Sequence, residues 1–539
     1  MWLPCSESMS CSSSSRSSEE SLEVVELADC DLTEPSCSDV DLNSKLSKWE
    51  RGDCNGESIM EEPPFHISLM VKLSCAVMFL AGVFADWLRS RGFIRVKVAT
   101  DDPRHKGFAP LDDHFEAVYI NHIYRKSSDV VNRPISSVAA SVMRLKDRYS
   151  DDNGWTQKFT GTESEVINMG SYNYLGFSHN DGPCAEEAVR FIDKYGIHIG
   201  GTRHERGNHA VHAEIEKCVA HYLGVDAAIC FPMGFGTNSM NIPSLVDKGS
   251  LILSDELNHA SLVLGCRVSG ATIKVFKHND AKDCERKLRN ALCEPSPKTG
   301  KPYNKVLIVI EGIYSMEGTI VNLPEFIRIK KTYKTYLFLD EAHSVGVVEY
   351  WGCNAKDVDV MMGTLTKSFA AAGGYIGGTK ALIDHIRYSS AGPCYGAAMS
   401  PPIVAQVLSS MKVMCGEDGT DIGARKAVQL LRNSRYFRRR LKQMGFLIYG
   451  HEDSPVVPLM TFYITKVVEF SRRTLKYNIG LVAVGFPATP LTKARVRFCL
   501  SADHTKEQLD YVLDVVDKIG DTTNTKYGSK QNYGKTIEY

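Results

Sequence analysis

The sequence predicts an α/β domain on a mostly parallel sheet, followed by a smaller α+β domain and preceded by an N-terminal membrane helix. Three observations lead there. From about residue 166, short apolar runs alternate with helical or turn-rich stretches, the pattern of strands joined by crossover helices. After about residue 440 the text changes to a few further strand candidates and a closing helix. Near the start, residues 67–85 read ISLMVKLSCAVMFLAGVFA, with Lys72 as the one charge.

Residues 1–62 hold 15 Asp+Glu against 4 Lys+Arg and many serines, including Ser12–Ser15. Low hydrophobicity with like charge cannot offset the entropy of ordering, so a disordered acidic tail is expected. It lacks the basic start and apolar core of a signal peptide. The whole chain carries a net charge of −1, so no global charge advertises a nucleic-acid partner. Residues 63–97 form the membrane-anchor segment. A run of about 20 apolar residues is long enough to span a bilayer. Glu61 and Glu62 precede it, while Arg89, Arg91, Arg95 and Lys97 follow, which by the positive-inside rule places the C-terminal side in the cytosol. A transmembrane helix fits this pattern, and a helix lying on the membrane is the alternative.

Residues 98–165 read as a mixed, aromatic-rich lead-in. The large domain is expected over 166–400. Its buried strands are Ala227–Phe231, Leu251–Leu253, Ile273–Phe276, Val306–Ile310, Tyr336–Leu339 and Val358–Met362. Pro401 and Pro402 open a helical stretch, and a small C-terminal domain is expected over 401–520. It contains strands Val456–Tyr463, Leu481–Val484 and Val496–Leu500, then a helix at about 505–519, with a tail at 521–539. The 16 cysteines form no paired CxxC with zinc-ligand spacing, so reduced thiols and no metal site are expected.

The chemistry sits at strand ends. Tyr336–Leu339 runs into Asp340-Glu341-Ala342-His343-Ser344, which puts a carboxylate at the carboxyl edge of the sheet. Val358–Met362 runs into Gly363-Thr364-Leu365-Thr366-Lys367, with the Gly-rich stretch Gly373–Gly378 downstream. A lysine that can bond a carbonyl, and an acid that can hold a protonated pyridine nitrogen, are what pyridoxal 5'-phosphate requires. Each half alone is ordinary; in this order they point to the cofactor. Ala227–Phe231 opens into Pro232-Met233-Gly234-Phe235-Gly236, a turn whose free N–H groups suit a phosphate. Leu251–Leu253 leads to His259, a flat ring able to stack on a pyridine.

These segments resemble the α-oxoamine synthase family of pyridoxal-phosphate enzymes. The matching stretches are Asn168–Phe177, Gly201–Gly207, Leu251–Gly270, Val309–Leu323, Thr364–Gly378 and Gly485–Thr505, within a similarity that covers roughly residues 115–520. The resemblance implies fold type I, aspartate aminotransferase-like, with a mostly parallel seven-stranded sheet. It implies that Lys367 bonds the cofactor and later moves the Cα proton. Asp340 would pair with the ring nitrogen, His343 would support that contact, and His259 would stack over the ring. Gly234 and Phe235, with Thr364 and Thr366, would hold the phosphate, while Asn173 and Arg497 would contact the amino-acid carboxylate. Arg497 is preferred to Arg495.

The resemblance further implies a membrane-bound acyltransferase that joins L-serine to a long-chain acyl-CoA. It would sit in the endoplasmic reticulum with its catalytic domain facing the cytosol. It would form a heterodimer with a related first subunit that lacks the lysine, joined by small activating and regulatory membrane subunits. Two departures stand out. The Gly-rich loop that the family carries after its Asp-Glu-Ala-His-Ser segment is shortened after Gly346, so that Asp340 and Lys367 are 27 positions apart. Gly485 stands where some soluble members have an arginine. The alternatives are a family member using glycine and a short acyl-CoA, and a subunit impaired by the short loop.

Overall fold

The computed structural model describes residues 60–94, 103–105, 107–109, 113–347, 354–528 and 537–539. The expected disordered tail, up to residue 59, lies outside them, as do residues 348–353 in the shortened stretch after Gly346.

The run at 67–85 is part of one helix, Phe65–Ser90. Strands β1 (Val142–Tyr149) and β2 (Lys158–Asn168) then form an antiparallel pair. The central sheet follows: β3 (Ala227–Phe231), β4 (Leu251–Asp255), β5 (Thr272–Phe276), β6 (Val306–Glu311), β7 (Tyr336–Asp340), β8 (Val360–Thr364) and β9 (Gly374–Gly378). Among the described residues these seven strands lie in the order β3-β9-β8-β7-β6-β4-β5. Only β9 is reversed, pairing antiparallel with both β3 and β8. The fold expected from the family resemblance is therefore present.

Short, largely apolar runs become strands here because helices cover the sheet. Leu251, Leu253, Ile308, Ile310, Leu337 and Leu339 face one buried layer. Ile252, Leu307, Val309 and Phe338 face the other. Alternation within each run thus serves two cores, as a doubly covered sheet requires. The strand β9 was not among the expected ones. Three of its five residues are glycines, so its apolar signal is nearly silent. The glycines are there for space: a Cβ at Gly374 would stand 2.6 Å from Thr237 Oγ1, and one at Gly377 2.8 Å from Leu223.

The C-terminal part contains β10 (Val456–Phe462), β11 (Ile479–Gly480), β12 (Val482–Val484) and β13 (Ala494–Cys499). Strand β11 pairs parallel with β2, so the lead-in and the C-terminal part share a sheet. Strands β10, β13 and β12 form a second, antiparallel sheet. Helices Ile422–Gln443, Ile464–Leu475 and Lys506–Thr523 share the hydrophobic core around it. Nine cysteines among the described residues are free thiols. Cys415 departs from that expectation, being disulfide-bonded.

Arg438, on helix Ile422–Gln443, ties this helix to the second sheet. It is fully buried and donates to the carbonyls of Ser454 at 3.0 Å, Tyr449 at 2.8 Å and Val456. Burial lowers its guanidinium to about 9. Three main-chain carbonyls accept from one side chain; Val456 O also accepts from Ser454 Oγ at 3.4 Å, but those of Ser454 and Tyr449 would lose their donor to an apolar replacement. Arg438→Met is expected to cost about 3 kcal/mol of stability in urea unfolding of the purified chain. A loss below about 1 kcal/mol would show that water replaces the guanidinium at low cost.

Candidate active site

Parallel strands β4, β6, β7 and β8 end at one edge of the central sheet, so residues far apart in sequence meet there. Asp340 is the last residue of β7 and lies directly opposite Glu311, the last of β6. Both are buried. Asp340 accepts from Asn238 Nδ2 at 2.7 Å and from the Ala342 N–H at 2.9 Å. Burial first, and the adjacent Asp340 second, push the Glu311 carboxyl well above its ordinary value. Glu311 is thus the member of the pair pushed toward its neutral form, while Asp340 is held by two N–H donors.

Asn238 belongs to the short helix Gly234–Ser239 that follows β3. The same Nδ2 also reaches Ser261 Oγ at 3.0 Å. Ser261 Oγ in turn lies 2.8 Å from His259 Nδ1. His259 caps helix Ala260–Val268, and its own N–H donates to Glu311. Its ring is thus held at Nδ1 by Ser261, and its main chain by Glu311. Burial lowers the His259 pKa, with Asp340 opposing and Lys367 adding to the fall.

Lys367 follows β8 by three residues. Its Nζ donates to Thr364 Oγ1 at 3.2 Å and lies 5.8 Å from the Tyr172 ring centroid. Burial lowers its ammonium from 10.5 to about 8, against the pull of Asp340 and Glu311. His343 is buried, and its Nδ1 is 2.8 Å from the Tyr174 hydroxyl. Burial and the nearby Lys367 and Arg497 charges hold it well below the usual histidine range, so it is neutral.

Arg497 and Arg495 lie two apart on β13 and so point to the same face of the second sheet. Their roles diverge all the same. Arg495 donates to Met316 O at 2.7 Å and pairs with buried Glu317 at 3.2 Å. Arg497 has no carboxylate partner among the described residues. It lies 4.8 Å from the Tyr172 ring and makes a long bond, 3.4 Å, to Ser315 O. Its Nε is buried without a partner. A buried cation with an orphaned donor next to Lys367's neighbour Tyr172 is a place for a carboxylate.

The remaining expected residues are placed as follows. Gly234 and Phe235 start helix Gly234–Ser239, where main-chain N–H groups lack intrahelical acceptors. A Cβ at Gly234 would stand 3.0 Å from Thr364 Cγ2 and 3.3 Å from Gly373 O, so only glycine leaves that cradle open. The Phe235 ring lies 6.1 Å from His259. Thr364 is buried beside Lys367, and Thr366 is exposed. Asn173 is buried, but its Nδ2 turns to Ser178 Oγ at 2.7 Å, and no hydrogen bond joins it to the Lys367 cluster among the described residues. Its Oδ1 has no partner.

Sequence reasoning passed over Tyr172, Asn238, Ser261 and Glu311. Tyr172 lies between Lys367, His343 and Arg497, with its ring 5.0 Å from His343. The strand-end position of Glu311, one beyond Val306–Ile310, was the available signal. Taken together, a buried anion, a deprotonatable lysine, a fixed imidazole face, an open glycine cradle and an orphaned arginine donor fit pyridoxal phosphate with an amino-acid substrate.

Residues 164–516 match the family described as aminotransferase class I and II. Serine palmitoyltransferase 3 of Caenorhabditis elegans is 65% identical over 477 residues, covering 87% of this chain and 93% of the relative. Serine palmitoyltransferase 3 of Homo sapiens is 48% identical over 476 residues, covering 87% and 86%. The solved serine palmitoyltransferase of Sphingomonas wittichii superposes with a TM-score of 0.62 at 26% identity, covering 68% of this chain and 90% of that one. A serine palmitoyltransferase solved with its pyridoxal phosphate gives the same figures. The chain belongs to the aminotransferase class I and II family of pyridoxal-phosphate enzymes, in the α-oxoamine synthase group with the serine palmitoyltransferase subunits.

Proposed function

We propose that the chain is the lysine-bearing catalytic subunit of a serine C-palmitoyltransferase. It condenses L-serine with palmitoyl-CoA or another long-chain acyl-CoA and releases CoA and carbon dioxide. The product is 3-ketodihydrosphingosine, in the first step of sphingolipid synthesis. The observation that carries this reading is Lys367 at the buried sheet edge beside Asp340, faced by Arg497 from the second sheet, which has no carboxylate partner among the described residues. The high identity to serine palmitoyltransferases supports it.

Bound here, pyridoxal phosphate supplies an electron sink for the carbanion formed at the serine Cα. Asp340 would hold the cofactor's ring nitrogen in its protonated form, with His343, neutral, in support. His259, held at Nδ1 by Ser261 and at its main chain by Glu311, would stack on the ring. Gly234, Phe235, Thr364 and Thr366 would hold the phosphate. Arg497, with Asn173, would hold the serine carboxylate. The Lys367 amine, lowered toward neutrality by burial, takes the Cα proton. The protein works as a heterodimer with a lysine-lacking first subunit and with small activating and regulatory membrane subunits. It resides in the endoplasmic-reticulum membrane with its catalytic domain in the cytosol.

The direct test is co-expression with a first subunit and assay of serine, glycine and alanine against acyl-CoA of several lengths. Serine with a long-chain donor is expected to give the highest turnover. Preference for glycine with a short donor would move the enzyme elsewhere in its family. Absence of turnover with every pair would leave the impaired-subunit reading.

The lowered Lys367 pKa sets a pH dependence for cofactor capture. Only the neutral amine attacks the cofactor carbonyl. A pKa lowered to about 8 means the neutral fraction rises with pH up to about 8 and then levels. Capture of pyridoxal phosphate by the apoprotein, followed by its visible absorption, is expected to accelerate about tenfold per pH unit below that point and flatten above it. A rate still rising at pH 10 would contradict the burial argument. Lys367→Ala should abolish capture, and borohydride followed by peptide mapping should mark Lys367 in the parent.

A further inference from the structure

We propose that Tyr119 is a positioning residue: from the lead-in it braces the β12–β13 loop, residues 485–493, and so fixes the hairpin that brings Arg497 to the substrate carboxylate. This rests on Arg497 as the carboxylate holder of the reaction proposed for the site.

The hairpin has little to hold it by itself. Strand β12 is three residues long and lies at the edge of the second sheet, next to β13. Val482 stands opposite Arg497, and Val484 opposite Arg495. Phe486 follows two residues later, where the chain leaves the ladder. Within the loop, the Thr489 N–H donates to Gly485 O at 3.2 Å and the Lys493 N–H to Pro490 O at 2.9 Å. A short edge strand joined to such a loop opens at low cost unless other elements pack on it.

The lead-in supplies that packing. Asp113 caps helix His114–Tyr119, accepting from the Glu116 N–H at 2.8 Å. At the helix end Tyr119 is 4% exposed, and its hydroxyl donates to Phe486 O at 2.7 Å across 367 positions. The Tyr119 ring meets the Phe486 ring edge to face at 5.0 Å, and Phe115 meets the same ring at 5.8 Å. Phe79, from helix Phe65–Ser90, stacks on Phe115 at 5.2 Å. Ring pairs of this kind fix geometry as well as burying area. Burial first, and Tyr124 second, push the Tyr119 hydroxyl up to about 12, so it keeps its proton and donates throughout the neutral range. Two further contacts reach the loop. Cys75 Sγ lies 3.9 Å from Leu491 O, and Lys493 pairs with Glu62 at 2.9 Å. The first has a poor donor and the second is largely exposed, so both contribute less than the buried Tyr119 bond.

Strand β13 carries the hold to the site. Arg495 Nε donates to Lys493 O, at the end of the loop, at 3.0 Å. Its guanidinium also donates to Met316 O at 2.7 Å, while Arg497 reaches Ser315 O at 3.4 Å and Met316 Sδ at 3.6 Å. Both arginines therefore bear on one segment of the large domain, and a hairpin that shifts moves both. A displacement of about 1 Å can cost about 10²-fold in rate.

The test uses the full-length chain co-expressed with a first subunit. Tyr119→Phe removes the hydroxyl and keeps the ring. Amide hydrogen exchange over 485–493 is expected to quicken about fivefold, the loss of one hydrogen bond, with β4 and β7 unchanged. The KM for L-serine is expected to rise about fivefold, while kcat and the KM for palmitoyl-CoA change little. Unchanged exchange over 485–493 would overturn the proposal, as would quickened exchange with an unchanged serine KM. An equal loss in kcat, both KM values and cofactor content would mark a general structural role and overturn it as well. Arg497→Lys separates the two readings. An unchanged serine KM in that variant removes Arg497 as the carboxylate holder, whereas a raised one, with no response to Tyr119→Phe, removes the brace alone. If Tyr119→Phe does not fold, Phe115→Leu is read by the same exchange and KM measurements.

Discussion

A buried negative charge at Asp340 is the constraint on which the site depends. Two carboxyl groups in register on neighbouring buried strands cannot both ionise at an acceptable cost. Glu311 yields by keeping its proton, and Asp340 keeps the charge through N–H donors from Asn238 and Ala342. The charge is thus placed by strand register and by one asparagine, not by a lysine or arginine that would neutralise it. No salt bridge holds it among the described residues, although Lys367 feels its pull, so it is available to a protonated ring nitrogen.

The other groups are arranged around that charge. Asn238 ties Asp340 to the helix that begins at the Gly234 cradle, so the cradle and the carboxylate are held by one side chain and one short helix. Through Ser261 the same amide nitrogen reaches His259, and Glu311 holds the His259 main chain. Displacing any one of these shifts the others, which is how a site keeps catalytic groups within the fraction of an ångström that rate demands. The second sheet supplies Arg497, which has no carboxylate partner among the described residues. Arg495 neighbours it on β13 but is occupied by Glu317, which explains why two arginines on one face serve different ends.

Much of this was legible in the sequence where side-chain chemistry and strand ends coincide. Asp340, Lys367 and His259 each follow an apolar run, and the runs themselves became β4, β7 and β8 with ends shifted by one or two residues. The strand β9 was hidden because its glycines, needed for close packing, carry no hydrophobic signal. Glu311 and Asn238 were hidden for another reason. Their importance lies in strand register and in a contact across 102 positions, which no local pattern reports. Asn173 was named from a motif position alone; its amide nitrogen bonds Ser178 and its buried Oδ1 has no partner. For the N-terminal helix, composition announced a membrane, and the helix is long and apolar enough to span one.

The charge on Asp340 can be read directly. Nitrogen NMR of the protein loaded with pyridoxal phosphate labelled at the ring nitrogen reports whether that nitrogen carries a proton. Protonation in the parent and its loss in Asp340→Asn, with Glu311 intact, is the predicted result. An unprotonated nitrogen in the parent, or a protonated one that survives Asp340→Asn, would contradict the account.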